Sequence, residues 1–193
     1  GVLPPSMENF EIIRDEAGRL EKLVDDLRIL SLADAGELSI NLQPVEPQKF
    51  LQEIASIYQS LLQEKQIELQ MKIDPHLAMI SIDPGRMTQV LTNIIDNALR
   101  FTPGNGRIVL SGHQAEGQVE LSVQDNGPGV PEDDLDRIFD RLYQGDAARQ
   151  HENNGSGLGL TIAKSIVEMH GGKIRALSPA DAGLTISILL PAI

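Results

Sequence analysis

The sequence predicts an α/β protein: a mixed, largely antiparallel sheet with helices on one face, preceded by one long helix. Three observations carry this. Phe10, Ile13, Ala17, Leu20, Val24 and Leu27 recur at alternating three- and four-residue spacing, a heptad seam. Arg107–His113 and Gln118–Gln124 alternate around Ala115-Glu116-Gly117, the pattern of a hairpin. On either side of that hairpin, strand patterns interleave with helical ones, so helices must cover a sheet.

Each element has its own reason. Gly1–Ser6 is turn material, because Pro4 and Pro5 block a helix. The first helix runs from Met7 or Glu8 to about Ala35. Ile12, Leu23 and Leu30 widen its apolar stripe beyond a two-stranded seam, so it needs partners, as in a four-helix bundle. Asp34-Ala35-Gly36-Glu37 ends it and forms a hinge. Leu38–Val45 reads as a strand, and Pro47 opens a helix to about Lys65. Ile67–Ile73 alternates as a strand, and Ala78–Ile82 is a short buried one. Pro84 starts a helix through Phe101 whose buried face is Met87, Val90, Leu91, Ile94, Ile95 and Ala98. Gln89, Asn93, Asp96, Asn97 and Arg100 lie on or beside the other face. After Asp125 comes a long loop region with one helical turn near Ile138. Gln144–Gly155 is polar without apolar period and reads as a mobile lid. Gly157 leads into a helix that stops at His170-Gly171-Gly172. Lys173–Ser178 and Gly183–Leu190 close the sheet.

Composition narrows the function. The 193 residues suffice for one full domain and an appendage. Without cysteine there is no disulfide framework and no thiolate metal site. A net charge of −12 argues against nucleic acid, which is bound by Lys and Arg on phosphates. No apolar run approaches the roughly 18–20 residues of a membrane span. With no signal peptide and Gly at its first position, the chain reads as a piece of a longer protein.

Three short stretches carry the chemistry. Asn93 and Asn97 stand four apart on one helix, so both amides project from one face. Neutral amide oxygens suit a Mg²⁺ that already holds phosphate oxygens and water. Arg100 follows one turn later, placed for phosphate, and Phe101 can lie against a purine. Asp125 ends a strand, where a carboxylate can accept from an adenine amine, and Gly127 and Gly129 let the backbone approach the base. Gly155-Ser156-Gly157-Leu158-Gly159 opens a helix, an anion site through free N–H groups and the dipole. It lacks the Gly-Lys-Ser/Thr ending of a Walker loop and the preceding strand of a dinucleotide fingerprint.

In order, Asn93-x-x-x-Asn97-Ala-x-Arg100-Phe101-Thr-Pro, Asp125-Asn-Gly127-Pro-Gly129-Val, Ile138-Phe-Asp-Arg141-Leu-Tyr, Gly155-Ser-Gly157-Leu158-Gly159-Leu and Ile166-Val-Glu-Met-His-Gly-Gly closely resemble the N, G1, F and G2 boxes and the helix that follows in bacterial sensor histidine kinases. The resemblance implies a Bergerat-type two-layer α/β sandwich at residues 36–193. It implies that residues 1–35 are the second helix of a dimerisation and phosphoacceptor segment. It implies ATP and Mg²⁺, with Asn97 as metal ligand, Asn93 near metal and phosphates, and Arg100 on phosphate. Phe101 would lie beside adenine and Asp125 would read the base amine. Phe139 would anchor the lid and Arg141 would reach the γ-phosphate. Gly155, Gly157, Leu158 and Gly159 would cradle phosphates, and Thr185, six before Pro191, would help hold a water on adenine. Gln144 and Asn154 depart from the usual basic residue and glycine of the lid.

None of His76, His113, His151 and His170 stands in the family's acceptor pattern, so the phosphoacceptor is expected upstream of this chain. The resemblance further implies a homodimer through the helical segment, a response regulator partner, and a cytoplasmic catalytic portion anchored to membrane only through other regions. Three rivals share parts of the pattern. An ATPase clamp of the same superfold resembles this chain but carries a Glu at Asn93 to activate water, which Asn cannot do. A nucleotide-sensing interaction module would bind without transfer, and an anti-sigma type serine kinase would not need the heptad helix.

Overall fold

In the computed structural model, which describes residues 7–143, 145, 156–180 and 182–193, the chain divides into two units, Gly1–Leu38 and Ser39–Ile193. The first holds a single helix, α1 (Met7–Asp34). Its end is capped by backbone, with Gly36 N–H donating to Ala33 and Glu37 N–H to Leu32. The heptad seam is not covered: Phe10, Ile13, Leu20, Val24 and Leu27 are 54–65% exposed.

The second unit is built around a five-stranded sheet ordered β2-β4-β5-β7-β6. Its strands are β2 (Glu68–Ile73), β4 (Arg107–Ala115), β5 (Gln118–Asp125), β6 (Lys173–Leu177) and β7 (Thr185–Pro191). Only β2 and β4 run parallel; every other pair is antiparallel. The parallel pair is required because the helix α3 (Pro84–Phe101) crosses between β2 and β4. A two-stranded antiparallel ribbon, β1 (Gln43–Val45) with β3 (Ile80–Ile82), joins the main sheet through a bridge from Ile80 to Ala192. The strand expected over Leu38–Val45 is therefore short, since its partner offers only three residues.

Helices α2 (Pro47–Glu64), α3 and α4 (Gly159–Met169) pack on one face. On β5 the burial alternates strictly: Val119, Leu121, Val123 and Asp125 are buried, while Gln118, Glu120, Ser122 and Gln124 are half-exposed. Against the buried row lie Leu51 and Ile54 of α2, Met87, Leu91, Ile94 and Ile95 of α3, and Ile162 and Ile166 of α4, each 2% exposed or less. Asp83 starts α3 by accepting from Arg86 N–H at 3.0 Å and, on its other oxygen, from Asn41 N–H at 2.9 Å. Burial works against that charge, but with Arg86 nearby the N–H groups of Asn41, Arg86 and Gly85 outweigh it, so the carboxyl titrates below its ordinary value.

Gly171, at φ +67°, and Gly172 N–H, donating to Val167, stop α4, and the His170 side chain anchors that end. His170 is 6% exposed; its Nε2 lies 3.0 Å from Asp83 N–H and its Nδ1 lies 2.7 Å from the Ile166 carbonyl. The two partners assign the tautomer: Nε2 accepts and Nδ1–H donates. This histidine ties the end of α4 to the start of α3.

Candidate functional site

The end of β5, the C-terminal half of α3, the loop after Asp125 and the turn before β7 converge. Asp125 is 5% exposed. Its Oδ1 accepts from Gly127 N–H at 2.8 Å and Leu184 N–H at 3.2 Å. Among the described residues Oδ2 takes no hydrogen bond, which leaves that oxygen for a ligand. Burial raises its pKa above the ordinary 3.8, although the N–H groups of Gly127 and Leu184 and its own pull the other way. A carboxylate so held can accept from an amine that the burial has already desolvated.

The loop around Asp125 is fixed by contacts that the sequence reading missed. Asn126 Oδ1 accepts from Arg107 N–H at 2.7 Å, tying the loop to the start of β4. Ser178 accepts from Val130 N–H at 2.8 Å and donates to the Gly183 carbonyl at 2.9 Å. Gly183 has φ +73°, and a Cβ there would run into the carbonyl oxygen of Asp125. The expected strand from Gly183 begins only at Thr185, because this turn must first pass under Asp125. The turn residues Ser178, Pro179, Ala180 and Gly183 were the available signal, but nothing in their spacing tells which loop they touch. Thr185 stands opposite Gln124 in the ladder, directly after Leu184.

On α3, Asn93 Nδ2 donates to the Gly159 carbonyl at 3.0 Å, so Asn93 lies against the first turn of α4. Asn97 is one turn on and half-buried. The Arg100 guanidinium lies 5.2 Å from the Phe101 ring centre, and burial lowers its pKa below the ordinary guanidinium value. Tyr58 of α2 braces this helix, donating to Asp96 at 2.8 Å beside the Thr92 carbonyl. Burial, then Asp96, drive its pKa far up, so the phenol stays neutral.

Gly157 has φ +70°, and its carbonyl accepts from Leu142 N–H at 3.1 Å; a Cβ would meet the Leu142 backbone at 3.0 Å. The glycine thus serves close packing as well as an open helix start, and α4 begins at Gly159 rather than at Gly157. Leu158 is 1% exposed and precedes α4. Phe139 is 6% exposed in the 3₁₀ turn Arg137–Phe139, and Arg141 is exposed beyond it. A second such turn, Glu132–Asp134, precedes it. Gly155, Gln144, His151, Asn154 and most of the expected lid lie outside the described residues.

The structure therefore brings Asn93, Gly157, Leu158 and Gly159 together, and separately gathers Phe101, Asp125, Gly127 and Gly183. Helix α3 links the two groups. Among the described residues no group of three His, Cys, Asp or Glu could hold a metal. A cation here would need amide oxygens and the ligand's own oxygens, which the Asn93–Asn97 pair fits.

Residues 82–193 match the family described as histidine kinase-, DNA gyrase B-, and HSP90-like ATPase. The signal transduction histidine-protein kinase BaeS of Escherichia coli (strain K12) is 33% identical over 191 residues, covering 99% of this chain and 41% of that protein. Full-length ShkA in complex with AMPPNP superposes with a TM-score of 0.84 at 28% identity, over 100% of this chain and 40% of that one. The histidine kinase ThkA in complex with the response regulator protein TrrA shares the fold, with a TM-score of 0.78 at 23% identity, over 100% of this chain and 53% of that one. The chain thus spans less than half the length of the curated relative.

Proposed function

Because the chain belongs to the family of histidine kinase-, DNA gyrase B- and HSP90-like ATPases, we propose that it is the catalytic ATP-binding part of a sensor histidine kinase. It transfers the γ-phosphoryl of Mg·ATP to a histidine, for relay to an aspartate of a response regulator. One observation carries the choice of transfer over hydrolysis. The residue packed against the start of α4 is Asn93, bonded to the Gly159 carbonyl, and an amide is no general base for water. The carboxylate beside it on α3, Asp96, is engaged by Tyr58.

In this reading Asp125 accepts from the adenine amine through Oδ2, Phe101 lies beside the base, and Gly127 and Gly129 shape its slot. Thr185 helps hold a water there. Asn97, with Asn93 near it, would hold Mg²⁺, which supplies charge neutralisation across the phosphates. Arg100 and Arg141 bind phosphate oxygens. Gly155, Gly157, Leu158 and Gly159 offer N–H groups at the helix start. Residues 1–35 form the helical segment, whose bare seam on α1 fits a homodimer, and residues 36–193 the catalytic domain. The site works in the cytoplasm, where ATP and the regulator are; no described helix is long and apolar enough to cross a membrane.

Incubation with γ-labelled ATP tests the proposal. The chain alone should bind nucleotide and stay unlabelled. With a helix fragment bearing an acceptor histidine added in trans, the fragment should gain an acid-labile, alkali-stable label. Rapid phosphate release without labelling would assign the chain to the ATPase clamps instead.

A further inference from the structure

We propose that the open edge of β2 pairs antiparallel with the same edge of a second copy of this chain, in register about Gln70. β2 ends the strand order, with β4 on one side only. Glu68 and Asp74 N–H groups donate to Gly106 and Gly112 on the β4 side. By alternation the backbone groups of Leu69, Met71 and Ile73 point to the open edge. Edges of this kind are usually guarded by proline, a bulge or charged side chains, lysine above all, and the one lysine of β2, Lys72, is met by an acid in the register proposed. β2 has no proline, and it holds unbroken one-to-one register with β4 from Glu68 to Ile73.

The strand is self-complementary. Glu68-Leu69-Gln70-Met71-Lys72 reads acid, apolar, amide, apolar, base. A two-fold axis at Gln70 sets Glu68 opposite the partner's Lys72, Leu69 opposite the partner's Met71, and Gln70 opposite the partner's Gln70. That register also makes Leu69 and the partner's Met71 a hydrogen-bonded pair, as their outward backbone requires. Centring on Met71 instead sets Glu68 against the partner's Asp74, two like charges. The other sheet edge lacks this property: a two-fold axis at Arg175 on β6 opposes two arginines.

The surroundings fit a sixth strand. On the helix side of β2 runs a groove of about 610 Å³ lined by Gln52, Ser56, Gln59 and Gln63 of α2 with Leu69. Met71 is 38% exposed. A second strand lays its own leucine and methionine along this groove, within reach of the carboxamides. Glu68 and Lys72 are exposed, and Glu68 already accepts from the Gln70 amide at 2.8 Å, which holds the acid on the outer row. Five paired residues bury less than the roughly 1,200–2,000 Å² of a stable interface. The contact is therefore weak and of use where copies are concentrated.

The chain has no cysteine, so Gln70→Cys adds one thiol to the full chain. A central non-hydrogen-bonded pair brings Cα atoms to about 4.5 Å, within disulfide reach. Under mild oxidation Q70C should dimerise at least roughly tenfold faster than Lys173→Cys on the β6 edge. In the Q70C background, Glu68→Lys and Lys72→Glu should each slow dimerisation several-fold, and the two together should restore it. Equal rates for Q70C and K173C would overturn the proposal; that result is also expected if copies meet only through α1 or if β2 takes a different protein's strand. Insensitivity to the charge changes, or no recovery in the double variant, would overturn it as well.

Discussion

Asp125 holds two backbone N–H groups on one oxygen, and this decides how the residue should fail. Asp125→Asn removes a charge-assisted bond in a buried site, which costs about 1.5–3 kcal/mol, or roughly ten- to a hundredfold in ATP affinity. Calorimetric titration checks this. Base reading needs the ionised carboxylate, and burial has raised its pKa above 3.8. ATP affinity should thus weaken on acidification at a pH above that value. The Asn variant should lose this component of the pH profile, with adenine's own protonation common to both proteins. Gly183→Ala should act on the same group from behind. Its φ of +73° disfavours any side chain, and the added carbon would push on the Asp125 carbonyl. A loss of more than about 1 kcal/mol in stability, together with weaker nucleotide binding, is expected from denaturant melts and titration.

Hydrogen bonds join α3 and α4 at two places: Asn93 to Gly159 at the candidate site, and His170 to Asp83 at the far end. His170→Leu keeps volume but leaves the half-buried Asp83 N–H without its acceptor. It should cost about 1–3 kcal/mol in urea unfolding. Asn97 makes a different claim on α3. Asn97→Ala should remove most of the magnesium-dependent gain in nucleotide binding and leave magnesium-free binding largely intact; a full magnesium gain in this variant would put the metal elsewhere. The elements themselves were legible because their periods are clean. α3 runs Pro84–Phe101 as its apolar spacing and Pro84 indicate, and the hairpin closes at Glu116-Gly117. What was not legible depends on distance along the chain. Ser178 reaches Val130 across 48 residues, and Tyr58 reaches Asp96 across 38. Neither pairing leaves a local period or a motif. The short β1 was overread because Leu38–Val45 alternates without having a partner strand along most of its length.

For the molecule as a whole, charge sets the direction of its acid response. Asp83, Asp74 and Glu120 titrate below their ordinary values in the fold. Each contributes stability that is present above the unfolded value, 3.8 for the aspartates and 4.5 for Glu120, and is lost as pH falls through the folded one. Asp125 has the opposite sign: its raised pKa favours the fold below the unfolded value and withdraws that support as pH rises through the folded one. These three groups should lower the urea midpoint as pH falls from about 6 to about 3, and Asp125→Asn, which removes the opposing group, should not prevent it. The two units also differ in what was readable. In the second unit the described motif residues fall into two groups joined by α3, Asn93 with Gly159 and Phe101 with Gly127. The seam of α1 announces a need for company, and its exposure leaves that need open to the homodimer proposed above.

The oxygen left over on Asp125 has a chemical consequence for which nucleotides are refused. With Oδ1 engaged by Gly127 and Leu184, selection in the proposed adenine site would fall to a single lone-pair-bearing atom, Oδ2. Adenine offers it an N–H at the six position. Guanine and hypoxanthine offer a carbonyl there, and two acceptors meeting in a buried slot repel. In the proposed reading, purine choice is thus an exclusion rule written by lone pairs, and ITP, which carries a carbonyl at position six and an N–H at N1 where ATP carries an amine and a bare ring nitrogen, is the ligand that reads it out.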